Sequence, residues 1–528
     1  MTPIAATPRS GAVRFPVSAV AACAVALVAA APLIAVLLSL AAPFGETIRH
    51  VAATTGGAYA TGTLGLMLAT GALAALIGTG TALTVALAEF PGRRILSFAL
   101  AAPLAVPAYI AAYAYGDFFG PFGPGTALLG FPAGGGTAFD IKSFEGAVFV
   151  LTITLYPYVY LAARAAFEVR SGAYLEAARL AGVSPARAAA GVIAPAAAPA
   201  ILGAVALVMM ETAADFGVAD YFGVPTLSVG VFRTWNAFGD LTAAAQLASL
   251  LVLLAIVLAG LGAFSGAGAH DDARSARARR RLRLRGVAAA GAIALCTAPV
   301  LLGVVLPVAV VAAKGAGAAS MRGLGEALHN SVMAASAGAA IIIGAAALLA
   351  YAARAAKGPM FGFALRVATL GYAVPGAVIA IGVFAAGAAI LGGAVAQATG
   401  LAALLVAYFS RFLAAGLNVV SGGLRGVTKA VDGAARMLGA NGVRLALRVH
   451  APMIAPSLAA AAIILFVDIT KELPATLILR SFDFETLATR VYRLAGDERL
   501  GEAAPAALSL IALGLLPVIA LGALGRRR

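Results

Sequence analysis

Long apolar runs alternate with short polar breaks from one end of the chain to the other. A helix needs roughly 20 mostly apolar residues to cross a hydrocarbon core about 30 Å thick. The pattern predicts twelve such spans, at about 17–42, 60–88, 95–116, 146–168, 196–218, 242–265, 286–312, 331–354, 366–391, 398–419, 453–476 and 503–525. Between the sixth and seventh lies "HDDARSARARRRLRLRG", with seven arginines between Arg274 and Arg285. The predicted fold is therefore all-α, a polytopic membrane protein of about 12 transmembrane helices in two homologous 6-helix halves. These are residues 1–268 and 286–528, joined by a cytoplasmic Arg-rich linker at 269–285.

Two short patterns recur in the same order in both halves. "LAVPAYIA" at 104–111 answers "YAVPGAVIA" at 372–380, with Val106-Pro107 and Val374-Pro375 offset by 268. "EAARLAG" ending at Gly182 answers "GAARMLG" ending at Gly439, offset by 257. Parallel order predicts halves related by an axis along the membrane normal.

Charge placement sets the orientation. With both termini cytoplasmic, the even-numbered breaks hold Arg93 and Arg94, Arg170, Arg179 and Arg187, the linker arginines, Arg354 and Lys357, and a basic group from Arg425 to Arg448. The odd-numbered breaks are poorer in basic residues, except the last, which carries Arg480 to Arg499. Arg9 and Arg14 precede a first span of about 26 residues, longer than a signal-peptide core, so this span is expected to be retained.

Composition agrees: 62% of residues are hydrophobic, 11% are charged, and mean hydropathy is +0.98. The net charge of +15 does not imply nucleic acid, because the basic residues follow the loops and are not interleaved with aromatics on one face. Cys23 and Cys296 fall in apolar runs and predict buried packing residues, not a disulfide framework. His50, His270, His329 and His450 show no ligand spacing and predict solvated or interfacial side chains. None of the five lysines follows a glycine, so no phosphate-binding Gly-Lys-Ser/Thr loop is encoded.

Four carboxylates lie inside apolar runs. Glu211 and Asp215 in the fifth span match Asp468 and Glu472 in the eleventh, 257 residues on, and each pair is spaced i, i+4 on one predicted helical face. A charge at the bilayer centre costs roughly 2.5–3.5 kcal/mol on the lenient insertion scale, so these groups should face protein or water. Sixteen residues separate Pro195 from Glu211, about 24 Å of helix, which puts the acids toward the outer mouth. Two readings follow: a ring of four acids lining a path for a cation that prefers hard oxygen donors, or acids neutralised by Lys471, Arg233 or Arg480 as structural ion pairs.

The loops at 170–195 and 424–452 carry Glu176, Ala177, Ala178, Gly182 and Pro195 in the first half, and Asp432, Ala434, Ala435, Gly439 and Pro452 in the second. Each predicts a short Ala-rich helix stopped by glycine, a second short basic helix, then proline opening the next span. Small side chains suit insertion into a groove on another protein. A plain amphipathic loop is the other reading.

This loop pattern resembles the Glu-Ala-Ala-x3-Gly-x9-Ile-x-Leu-Pro coupling loop of ABC importer permeases. The departures are Gly433 where the family prefers Glu, with Asp432 adjacent, and Ala194 and Ala451 in place of Leu. The stretches at 210–240 and 466–504 are similar to fused permeases of ferric-iron importers, whose relatives carry thiamine, polyamine, sulfate or phosphonate. The resemblance implies a permease, not an enzyme, in the bacterial inner membrane. It implies separate ABC ATPase subunits, a dimer that uses the ATP, a periplasmic solute-binding protein, surrounding lipid, Fe3+ as the solute, and no cofactor on this chain. Tyr221, Phe222, Phe232, Trp235, Phe482, Phe484 and Tyr492, in the external segments after each acid pair, suit a docking surface for the binding protein or an interfacial aromatic belt. An ion-coupled secondary transporter would also explain intramembrane acids, but not the paired Ala/Gly loops.

Overall fold

The computed structural model describes residues 17–128, 130, 140–266, 281–316, 321–355, 359–391, 400–440 and 442–525. Most of the linker, including His270, and the three terminal arginines lie outside these residues.

The first half comprises α1 (Val17–Leu38), α2 (Gly57–Leu87), α3 (Arg93–Ala99), α4 (Ala108–Phe118), α5 (Phe144–Leu180), α6 (Ala194–Ala214), α7 (Gly217–Tyr221), α8 (Leu227–Phe238) and α9 (Leu241–Gly266). The second comprises α10 (Gly286–Val300), α11 (Leu306–Gly315), α12 (Leu324–Ala355), α13 (Pro359–Thr369), α14 (Gly376–Leu391), α15 (Leu401–Arg425), α16 (Lys429–Met437), α17 (Ala455–Lys471), α18 (Pro474–Leu479), α19 (Leu487–Gly496) and α20 (Leu500–Gly525). Short helical turns join several of these. The sheet content of the described residues is one two-residue parallel pair, Ala88–Glu89 with Leu282–Arg283, which ties the end of the linker to the first half. Glu89 there faces Arg93 at 3.0 Å and Arg281 at 3.8 Å.

The fold is an all-α, polytopic membrane architecture. Among the described residues nine helices are long and apolar enough to cross a membrane, and eleven spans result if two bent pairs count as one each. In the ninth predicted span, 366–391, the apolar helix is only the shorter Gly376–Ile390. The third predicted span of each half is thus not a straight helix. Arg93–Ala105 meets Ala108–Phe118 at 91°. The break falls on Val106, extended at φ −89° and ψ 114°, and Val374 before Pro375 is extended in the same way at φ −101° and ψ 136°. A residue preceding proline is pushed out of the helical region, and proline then suits the first turn of the next helix. The repeated Val-Pro pair is the sequence cause of the repeated break.

The halves also exchange their first helices. α1 packs on α12, α13 and α14 of the second half, and α11 packs on α4 of the first. Gly382 is required where α1 crosses α14, because a Cβ there would collide with the Pro32 carbonyl. Gly303 plays the matching part: a Cβ would lie 2.8 Å from both the Ile153 carbonyl oxygen and Pro103. Gly382→Leu is expected to force α1 away at a cost of about 1–3 kcal/mol or more. It should reduce the monodisperse fraction on gel filtration, whereas Gly387→Leu, with open space around it, should not.

Candidate functional site

The site is built where α6 and α17 end. Each helix stops at a carboxylate that turns the chain: Asp215 follows Ala214 with ψ 125°, and Glu472 follows Lys471 with ψ 118°. The acid then caps the next short helix. Asp215 Oδ1 accepts the amides of Val218 at 2.8 Å and Ala219 at 3.4 Å, at the start of α7. Glu472 accepts the amides of Ala475 at 3.1 Å and Thr476 at 3.0 Å, and the Thr476 hydroxyl at 3.0 Å, at the start of α18. Both use the exposed donors of a helix N-terminus.

The expectation of two carboxylates stacked on one helical face is therefore corrected, because the second of each pair lies past the last helical residue. All four nevertheless line one cavity of ≈ 200 Å³ between the halves, with Val106 and Pro107 at the first-half break. The i, i+4 spacing put the right residues together for a partly different reason.

Their roles differ. Glu472 is 5% exposed and also receives Arg411 Nη1 at 3.3 Å. Glu211 and Asp468 are half-buried and make no ion pair or hydrogen bond among the described residues. Of the three cations considered as neutralisers, only Lys471 lines the cavity, and its Nζ donates to the Leu104 carbonyl of the other half at 2.9 Å. Arg233 turns instead to Asp220 at 3.2 Å, and Arg480 to the carbonyls of Phe482 and Phe484. Four carboxylates against the two cations Arg411 and Lys471 leave an excess of two negative charges when all are ionised. Arg411, Tyr158 and Tyr372 also line the cavity and were not anticipated. An arginine within the tenth apolar run was a readable signal, since such a charge needs a partner.

The two loop segments differ from each other. Glu176, Ala177 and Ala178 belong to the last turns of α5, one continuous helix of 37 residues, so the expected separate short helix is absent in the first half. In the second half α15 ends at Arg425 and Ala434 and Ala435 sit on the separate α16. Glycine ends both segments in the left-handed region, Gly182 at φ 71° and Gly439 at φ 82°. After α16 the Ala440 amide reaches the Ala435 carbonyl at 2.9 Å and the Gly439 amide the Arg436 carbonyl at 3.0 Å, the double-bonded glycine stop. Pro195 lies in the first turn of α6, and Pro452 lies on a short turn that meets α17 at 78°.

Asp432 points into the protein. It receives Arg354 Nε at 3.1 Å and Nη2 at 2.9 Å, and His450 Nε2 at 2.8 Å. His450 Nδ1 contacts the Tyr351 hydroxyl. Burial pushes the Asp432 carboxyl up, but the hydrogen bonds from Arg354 and His450 outweigh it and hold the group below the usual carboxylate range. His450 is 1% exposed, which corrects its expected solvation; His50 and His329 are exposed. Cys296 is buried as expected, but Cys23 is exposed, because α1 turns that side away from its neighbours.

No family model matches the chain. Over 447 residues, covering 82% of this chain and 83% of the relative, it is 23% identical to the Fe(3+)-transport system permease protein FbpB 2 of Haemophilus influenzae. The chain is similar to a ferric-iron transport permease. An alignment of that length extends into both halves, and the likeness identifies a membrane transport component.

Proposed function

We propose that this chain is the permease subunit of an ABC importer that carries ferric iron. The observation that supports the reading best is the enclosure of Glu211, Asp215, Asp468 and Glu472, two from each half, around one cavity. Two of these carboxylates, Glu211 and Asp468, make no hydrogen bond or ion pair among the described residues, and hard anionic oxygen is what a trivalent cation prefers. The relative's stated ferric-iron role points the same way.

Energy comes from a dimer of separate ABC ATPase subunits that dock on the loops at 170–195 and 424–452, with ATP bound only there. The docking side of the second loop offers Met437 at 90%, Leu438 at 88%, Val443 at 72% and Leu447 at 66% exposure, an apolar group of the kind that marks a protein contact. In this reading both termini are cytoplasmic in a bacterial inner membrane, and a periplasmic solute-binding protein delivers the ion to the opposite face. The chain itself binds no cofactor and catalyses no reaction.

Uptake of radioactive ferric iron, in cells that carry this chain with its genomic neighbours and lack other iron importers, tests the reading. Glu211→Gln with Asp468→Asn is expected to lower initial uptake about tenfold or more at equal protein levels. A charge pair near 4 Å is worth about 4 kcal/mol at an effective dielectric of 20. Unchanged uptake would remove these acids from the path. Uptake that persists after ATP depletion would favour an ion-coupled transporter.

A further inference from the structure

A second polar cavity, ≈ 740 Å³, lies at the far end of α4, with Tyr113, Asp117, Asp140, Lys142, Lys314 and Glu498 among its walls. It sits on the seam between the halves. Lys314, from α11, pairs with Asp117 at 2.9 Å, and Glu498 comes from the loop after α19. The other Asp117 oxygen, Oδ2, is buried and has no hydrogen-bond partner among the described residues.

Between this cavity and the central one stand two tyrosines on one face of α4. Tyr109 lines the central cavity and Tyr113 lines the second. Four residues separate them, about 6 Å of helix rise. Their rings meet edge-on with centroids 6.1 Å apart, and Tyr113 also abuts Tyr221 at 4.6 Å. Both are deeply buried, at 6% and 2% exposure, and neither hydroxyl has a partner among the described residues. Their neighbour Tyr115 behaves normally, donating to the Leu302 carbonyl at 2.8 Å.

A buried hydroxyl without a partner costs about 1–3 kcal/mol, and two on successive turns need a reason. The second half avoids the cost. At the offset of 268 that relates the Val-Pro motifs, Tyr109 and Tyr113 correspond to Ala377 and Ile381. The hydroxyls are a property of one half only, so packing around the pseudo-twofold axis does not demand them.

We propose that the Asp117 cavity is the outer antechamber of a one-sided cation route, and that Tyr113 and Tyr109 are the gate between it and the central cavity. Their hydroxyls supply hard oxygen to an ion that has left part of its water behind, and their packed rings close the way when no ion passes. The inference rests on the ferric-iron importer reading for its cargo and its direction, and on the cavities and unpartnered hydroxyls for its place.

The test removes the hydroxyls and keeps the rings. Tyr109→Phe with Tyr113→Phe is expected to lower initial ferric-iron uptake about tenfold, with protein level and assembly with the ATPase retained. Ile381→Val, at the matching place in the other half, should transport as the parent does. In a chain carrying Cys23→Ser and Cys296→Ala, Tyr113→Cys should react with a membrane-impermeant thiol reagent added outside intact cells. Parental uptake by the double Phe variant, or labelling of Tyr113→Cys only from the cytoplasmic side, would overturn the proposal. A parent chain that moves no ferric iron would overturn the cargo reading instead, and the labelling result would then decide the antechamber alone.

Discussion

Glu472→Ala is expected to deplete folded protein from the membrane, whereas Asp468→Asn, four residues earlier on the same segment, is expected to fold and to lose transport. Glu472 is the acceptor for two amides and one hydroxyl at the start of α18, and for Arg411. Its side chain is 2% exposed and that of Arg411 15%. Removal leaves a buried guanidinium without its carboxylate and a helix start without its acceptor, a change of about 3–5 kcal/mol for a buried pair broken on one side. α18 leads through residues 480–486 to α19, which packs on α20 and on α4 of the other half, so the damage spreads across the seam. Asp468 makes no such hydrogen bonds or ion pair among the described residues, and its amide replacement alters the cavity's charge while leaving the helix in place. Thermal unfolding in detergent and uptake at matched protein levels separate the two outcomes. Equal stability of both variants would refute the division of labour between capping and cavity-facing acids.

This division could not be read from the chain. Glu211, Asp215, Asp468 and Glu472 were legible as a set because charges in apolar runs are costly and because the 257-residue offset paired them. Their assignment to one helical face assumed that α6 and α17 continue through the second acid. They stop one residue short because the acid finds amide donors in the helix that follows. The Val-Pro pairs were equally visible, but hydropathy counts residues and not direction, so a 91° break reads as one span. The crossing of α1 onto the second half depends on small residues such as Gly382 facing the Pro32 carbonyl, a contact between positions 350 residues apart that no local pattern encodes. In the second loop, Asp432 was visible as the acid nearest the family's missing Glu. That it turns inward depends on Arg354 and His450, from separate parts of the chain, meeting it.

That inward turn gives the second large effect: Arg354→Ala is expected to uncouple the importer. Arg354, at the end of α12, donates to the carbonyls of Leu424 and Val427 as well as to both Asp432 oxygens. It thereby joins the end of α15, the following turn and α16 into one unit. From Asp432 the connection passes to His450, immediately before the turn that opens α17, and the far end of α17 carries Asp468. In the proposed importer, a push on α16 by an ATPase subunit would thus be delivered to a cavity wall through side chains that join the loop to the bundle. Without Arg354, α16 keeps its exposed apolar side for docking but loses its grip on the bundle. ATP hydrolysis should then continue while ferric iron moved per ATP falls about tenfold, as expected when a charge-assisted network is broken. The ratio measured in proteoliposomes decides it, and a parallel fall of hydrolysis and transport would show that Arg354 serves assembly alone. The sign of the pH dependence follows from Asp432, whose folded-state carboxyl is held below its usual value. Its contribution is fully present above the ordinary carboxylate pKa near 4 and is lost as pH falls through the lowered value, so loss of the Arg354–Asp432 contact should appear only in acid.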